Sequence, residues 1–236
     1  MHASIAGMKI AMRSRPLFDG RPGPREGWLP ALVLLAGACF GGSVWGFGAA
    51  LDGYSQLAYP VSVLGAQGIP HAASFNAVGF VLTGLLMAGV AAGLCRSVAS
   101  AGALARIGGW IALFSTLAFA ALGMFPLRMD DMDASSGRLH IACWTLWWLT
   151  TATGGVLLSL GSGQWRPGRA WRIAGVVLAL LVPWCSVSAP AGWGFALSER
   201  IAFALWFGWW LLAALQVVRF SRNAASTPGS LQPART

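Results

Sequence analysis

The residues of this chain that could do chemistry gather in three short polar stretches. One reads Pro126-Leu-Arg-Met-Asp-Asp-Met-Asp-Ala-Ser-Ser-Gly-Arg-Leu-His140, with Asp130, Asp131 and Asp133 ahead of a histidine. If a helix begins near Asp133, then Asp133, Ser136, His140 and Trp144 share one face by three-or-four spacing. An imidazole beneath carboxylates can act as general base, proton shuttle or metal ligand. On that reading His140 and Asp131 are an acid/base pair; the alternative is an interfacial histidine at a helix start. The second stretch, residues 51–74, carries Asp52, Tyr54, Ser55, Tyr59, Ser62 and His71, and Asn76 follows it. The third is Ser198-Glu199-Arg200. Asp133 or Ser135, and Ser198, also fit as helix N-caps, with Glu199 favourably placed against a helix dipole.

No metal or cofactor is expected. Cys39, Cys95, Cys143 and Cys185 show neither CxxC spacing nor a nearby histidine. His140 is well placed on a span, but no second helical histidine offers the opposite axial ligand for haem.

What must position these stretches is a membrane bundle. Of 236 residues, 56% are hydrophobic and only 10% charged, against about 25% charged in a soluble domain. The charges are absent over long stretches, so lipid is the main solvent of the chain. Six apolar segments stand out: 28–50, 75–94, 107–125, 139–160, 173–188 and 201–218. Each approaches the ~20 residues that cross the hydrocarbon as a helix. The fifth is short, and uncharged 189–197 could extend it. Barrel strands would alternate and stop after ~10 residues. The expected fold is therefore all-α, a six-helix transmembrane bundle. Residues 1–27 form a basic N-terminal segment, 28–218 the membrane domain and 219–236 a flexible polar tail. Residues 1–27 do not read as a cleavable signal.

Charge sets the orientation. With the N-terminus inside, the inner segments hold Lys9, Arg13, Arg15, Arg21, Arg25, Arg96, Arg106, Arg166, Arg169, Arg172, Arg219, Arg222 and Arg235. The outer ones hold Arg128, Arg138 and Arg200, with Asp52, Asp130, Asp131, Asp133 and Glu199. This positive-inside asymmetry predicts cytoplasmic termini in a cell (inner or plasma) membrane, and it accounts for the net charge of +9 without nucleic acid as a partner. Tryptophans near span ends, such as Trp28, Trp110, Trp144, Trp165 and Trp193, fit interfacial anchoring. Gly37-x-x-x-Gly41, Gly42-x-x-x-Gly46, Gly84-x-x-x-Ala88 and Gly89-x-x-x-Gly93 suggest close helix approach, with Gly41 and Gly89 as contact points.

Tyr59-Pro-Val-Ser-Val-Leu-Gly65, Phe75-Asn76 before a Gly-rich span, Gly123-Met-Phe-Pro126, the acidic loop with His140, and Glu199-Arg200-Ile201 occur in order. Together they resemble the DUF998 family of bacterial and archaeal membrane proteins, over about residues 28–218. The resemblance implies the six-helix architecture and marks Ser62, Asn76, Pro126, Asp131, His140, Glu199 and Arg200 as signature positions. It implies no substrate.

Three functions remain open from the sequence. The first is binding of membrane lipids, or of a membrane-protein partner or second copy, through an outer polar cap of Ser62, Asn76, Asp131, His140, Glu199 and Arg200. The second is an enzyme on a lipid or envelope substrate using His140 and Asp131. The third is a channel or transporter for a neutral or amphipathic solute. Ion-coupled carriage is disfavoured, because no charged residue lies mid-span. In the cap, Arg200 is expected to pair with Asp131, since Glu199 points elsewhere on the helix; the alternative is lipid phosphate.

Overall fold

The computed structural model describes residues 26–131, 133–161, 168–189 and 192–225. Six helices there are long and apolar enough to cross a membrane: α1 (Leu29–Ala49), α2 (Ala72–Ser97), α3 (Ala103–Met124), α4 (Ser135–Ser159), α5 (Arg169–Val187) and α6 (Phe195–Ala225). No strand occurs among the described residues. The basic segment up to residue 25, Arg166 and the tail from residue 226 lie outside them.

The fifth helix corrects one expectation. It gains length at its start, through Arg169, Ala170, Trp171 and Arg172, and stops at Val187. The arginines keep their heads at the membrane edge, so the helix can run past them. Two capping expectations also fail. The residue before α4 is Ala134, with no side-chain cap, and Ser135 is already helical. Ser198 lies inside α6, which begins a turn earlier at Phe195; its hydroxyl is buried without a hydrogen-bond partner.

Each helix packs on the next in sequence, and α6 returns to α1. Six crossings put both ends of the bundle on one side, called here the terminal face. The described parts of the connections 50–71, 125–134 and 188–194 lie on the other, the loop face. Rings from five helices fill the middle: Phe40 of α1, Phe80 of α2, Phe119 of α3, Trp147 of α4, and Phe203, Trp206 and Phe207 of α6. Phe119 stacks on Trp206 with centroids 4.7 Å apart. Such pairs add specific geometry to the buried area.

Of the glycines in the expected motifs, Gly84 and Gly93 meet close neighbours, whereas Gly41, Gly42, Gly46 and Gly89 do not. An added Cβ would meet nothing within 4 Å at Gly41, Gly42 or Gly46, and only ordinary contact with Leu32 at Gly89. At Gly84 it would lie 2.6 Å from the Ala120 backbone nitrogen, and at Gly108 2.7 Å from that of Leu158. The tight seams are therefore α2–α3 and α3–α4. Helix α2 also widens into a π-helical stretch over Asn76–Leu82. Its Val78 carbonyl accepts from Thr83 Oγ1 at 3.2 Å and from Cys39 Sγ at 3.7 Å. Such stretches are frequent at functional sites, and here Asn76 opens it.

Candidate functional site at the loop face

The segment between α1 and α2 lies across the top of the bundle as a strap. It can lie flat because two glycines, one beneath it and one within it, leave room for close contact. A Cβ on Gly48 of α1 would meet the Gln56 amide and come within 3.0 Å of the Tyr54 ring. One on Gly65 would strike the Asn76 side chain. With that space open, Gln56 Nε2 donates to the Val44 carbonyl at 3.0 Å, and Asn76 Nδ2 donates to the Gly65 carbonyl at 2.8 Å. The strap contains one turn of 3-10 helix, Val61–Gly65, in which Ser62 is half-buried.

Two adjacent residues of α6 clamp it. Glu199 is buried, and its carboxylate accepts the Val61 backbone N–H at 2.7 Å. Arg200 points another way, as successive helical residues must. Its Nε donates to Gln56 Oε1 at 3.2 Å. Its Nη2 donates to the same oxygen at 2.8 Å and to the Tyr54 hydroxyl at 2.7 Å. Its Nη1 donates to the Tyr59 carbonyl at 3.0 Å and the Ala196 carbonyl at 2.8 Å. A guanidinium has five N–H donors, and these five bonds use them all. The Tyr54 hydroxyl passes the chain on, donating to the Pro60 carbonyl at 3.3 Å. Burial pushes the Tyr54 phenol above its ordinary pKa, and the charge and hydrogen bond of Arg200 oppose this. Tyr54 and Tyr59 stack with centroids 5.9 Å apart.

The expected pairing of Arg200 with Asp131 is not found. Asp131 is exposed, and its Oδ1 accepts the Asp133 backbone N–H at 3.2 Å, a local turn. Among the described residues the single ion pair is Arg128 to Asp130, at 2.9 Å on the surface. The hydrogen bond from Arg128 holds the Asp130 carboxyl below its usual range. Physics favours the observed choice. Neutral carbonyl, amide and hydroxyl oxygens already take all five N–H donors of Arg200, so none is left for a carboxylate.

His140 also departs from the acid/base reading. It is buried on α4, and its Nδ1 donates to the Phe125 carbonyl at 2.9 Å. Phe125 is the C-cap residue of α3, so His140 ties the end of one helix to the start of the next. Among the described residues no carboxylate lies within ion-pair distance of it. The six expected cap residues therefore divide. Glu199 and Arg200 hold the strap directly, Ser62 lies in its 3-10 turn, Asn76 binds the end of that turn from α2, and His140 and Asp131 stand apart. Gln56, Gln67 and the space over Gly48 and Gly65 were not legible in advance. Gln67 matters because its backbone N–H donates to the Leu127 carbonyl at 2.9 Å, joining the strap to the acidic loop. The available clue was chemical: an arginine at a span end needs five acceptors, and Gln56, Tyr54 and loop carbonyls could supply them.

Among the described residues no cluster of three or more histidine, cysteine or acidic side chains has the spacing to hold a metal. The family described as "Protein of unknown function (DUF998)" matches residues 35–216, most of the chain, and the chain belongs to that family. No curated protein and no solved structure matches it.

Proposed function

We propose that this DUF998 protein is a membrane binding protein that works through its loop face. The observation that carries the reading is the saturation of Arg200. With all five of its N–H donors bound inside the protein, the most conspicuous cation of the cap has none to offer a substrate. Its role is to stiffen a surface. Above the clamp that surface presents Leu57, 67% exposed, and Tyr59, Trp193 and Phe195, each 46% exposed. The Leu57 carbonyl lies 3.4 Å from where a Cβ on Gly194 would stand, so the strap and the α5–α6 connection adjoin. A rigid aromatic surface loses little entropy on binding, which suits a lipid or membrane-protein ligand.

The other readings have less behind them. An acid/base site needs its groups within reach of each other, whereas His140 is bound to a carbonyl and Asp131 to its own turn. A conduit needs an open middle, and the middle of the bundle is filled by rings. The charge asymmetry of the chain supports an external loop face and cytoplasmic termini in the inner membrane.

A photo-crosslinking side chain at position 57 or 193, in native membranes, tests the binding reading. The expected result is a discrete adduct of defined mass at both positions, lipid or protein. The same probe at Met129, exposed on the acidic loop, should give none. An indistinguishable smear of adducts at all three positions would overturn it.

A further inference from the structure

On the terminal face a lateral groove of about 400 Å³ lies between the end of α4 and the start of α5. Leu160 walls one side; Arg169, Arg172, Ile173, Val176 and Val177 line the other. These α5 residues recur at three-or-four spacing and so form one stripe, charged at the membrane edge and apolar toward the interior. Leu160, Ile173 and Val177 are between 44% and 54% exposed, so the groove opens sideways toward lipid.

We propose that this groove binds one anionic phospholipid, its phosphate on Arg169 and Arg172 and an acyl chain along Ile173, Val176 and Val177.

The charge balance of the groove supports that occupant. Arg169 and Arg172 open α5, where the positive end of the helix disfavours cations. The residue before the helix is Gly168, which provides no side-chain cap, and the first turn holds no acid. Neither guanidinium has a carboxylate within ion-pair distance among the described residues. Arg219, by contrast, has a partner, lying over the Trp171 ring at 4.6 Å. Two cations at an uncapped helix start are relieved together by one phosphate. The apolar half of the stripe then separates a lipid from a free anion, because phosphate alone would leave that half uncovered. A zwitterionic headgroup fits less well, since it brings its own cation to the arginines. Basic pockets between spans are a known way to select anionic lipids. The proposal concerns the face opposite the strap and stands apart from the function proposed for the loop face.

The test uses the full chain, purified in detergent and offered phosphatidylglycerol, phosphatidylcholine or inorganic phosphate. Bound lipid is counted by native mass spectrometry, and the melting temperature is followed in parallel. The wild type should retain one phosphatidylglycerol in preference to phosphatidylcholine and melt higher with it, and inorganic phosphate should not reproduce the gain. The double variant Arg169→Gln/Arg172→Gln should weaken phosphatidylglycerol binding by roughly tenfold or more. Val176→Trp, which fills the groove and keeps both charges, should do the same, and it decides the matter if the double variant fails to fold. Arg96→Gln/Arg106→Gln, removing two arginines elsewhere on that face, should leave binding unchanged. Equal retention of the two lipids, an equal gain from phosphate, an equal loss in the Arg96/Arg106 control, or full binding by Val176→Trp would each overturn the proposal.

Discussion

The two longer connections on the loop face could hardly differ more. Residues 125–134 hold three of the chain's seven acids, yet Asp130 and Asp131 face solvent, tied by one surface ion pair and one local turn. Residues 50–71 hold a single acid, Asp52, yet they are bound to α1 through Gln56, to α2 through Asn76 and to α6 through Glu199 and Arg200. Charge density in a loop says little about how firmly it is held. Surface ion pairs are screened and contribute little. A half-buried arginine bound by five hydrogen bonds to four neutral acceptors is far harder to release, because its loss orphans several polar groups at once.

That contrast orders the expected effects of substitution. Arg200→Ala should be the largest. Removing the centre of a five-bond network costs about 3 kcal/mol, a fall in melting temperature of roughly 6–12 °C. Asp131→Ala should stay within about 0.5 kcal/mol of wild type, and equal losses in the two variants would erase the difference between the loops. Glu199→Ala comes next, at about 2 kcal/mol, because it leaves the Val61 N–H buried without an acceptor. Glu199→Gln keeps an acceptor oxygen and should recover much of that loss in the same thermal assay. Asn76→Ala removes one buried bond to the Gly65 carbonyl and should cost about 1 kcal/mol, read as a modest shift in the melting curve. The smallest effect belongs to Asp130→Asn. The folded pKa of Asp130 is lowered by Arg128, so any contribution exists above the ordinary carboxylate range and fades as pH falls through the lowered value. With both side chains exposed, melting should be flat across that pH window and unchanged by the variant. A clear acid-side loss that Asp130→Asn abolishes would mean the acidic loop is held more firmly than its geometry indicates.

The division between legible and hidden features follows from range of interaction. The six helices could be read because twenty apolar residues in lipid leave little choice but a helix. Their ends are less legible. At α4 and α6 the polar residues that looked like caps, Ser135 and Ser198, became part of the helix. Glu199 and Arg200 stood out as a charged pair at a span end, but the partner of Arg200 depended on which loop lay above it. Charge alone favours Asp131. The strap reaches Arg200 first because Gly48 and Gly65 let it lie close, and the fit of a loop over a glycine is a tertiary fact. The same holds for helix seams. Gly41 and Gly84 occupy similar small-residue motifs, yet only Gly84 faces a neighbouring backbone.

The central claim is that Arg200 holds the first loop-face connection rigid through neutral partners. Amide hydrogen exchange on the wild type and on Arg200→Lys tests it most directly. Lysine keeps the charge but loses the planar fork of donors. The account predicts slow exchange for residues 59–67 in the wild type, Val61 and Gln67 above all, and fast exchange for residues 129–133. In Arg200→Lys residues 56–61 should speed up markedly while 129–133 stay as they were. If residues 59–67 of the wild type exchange as fast as the acidic loop, or if lysine protects them equally well, the clamp does not do what its geometry implies.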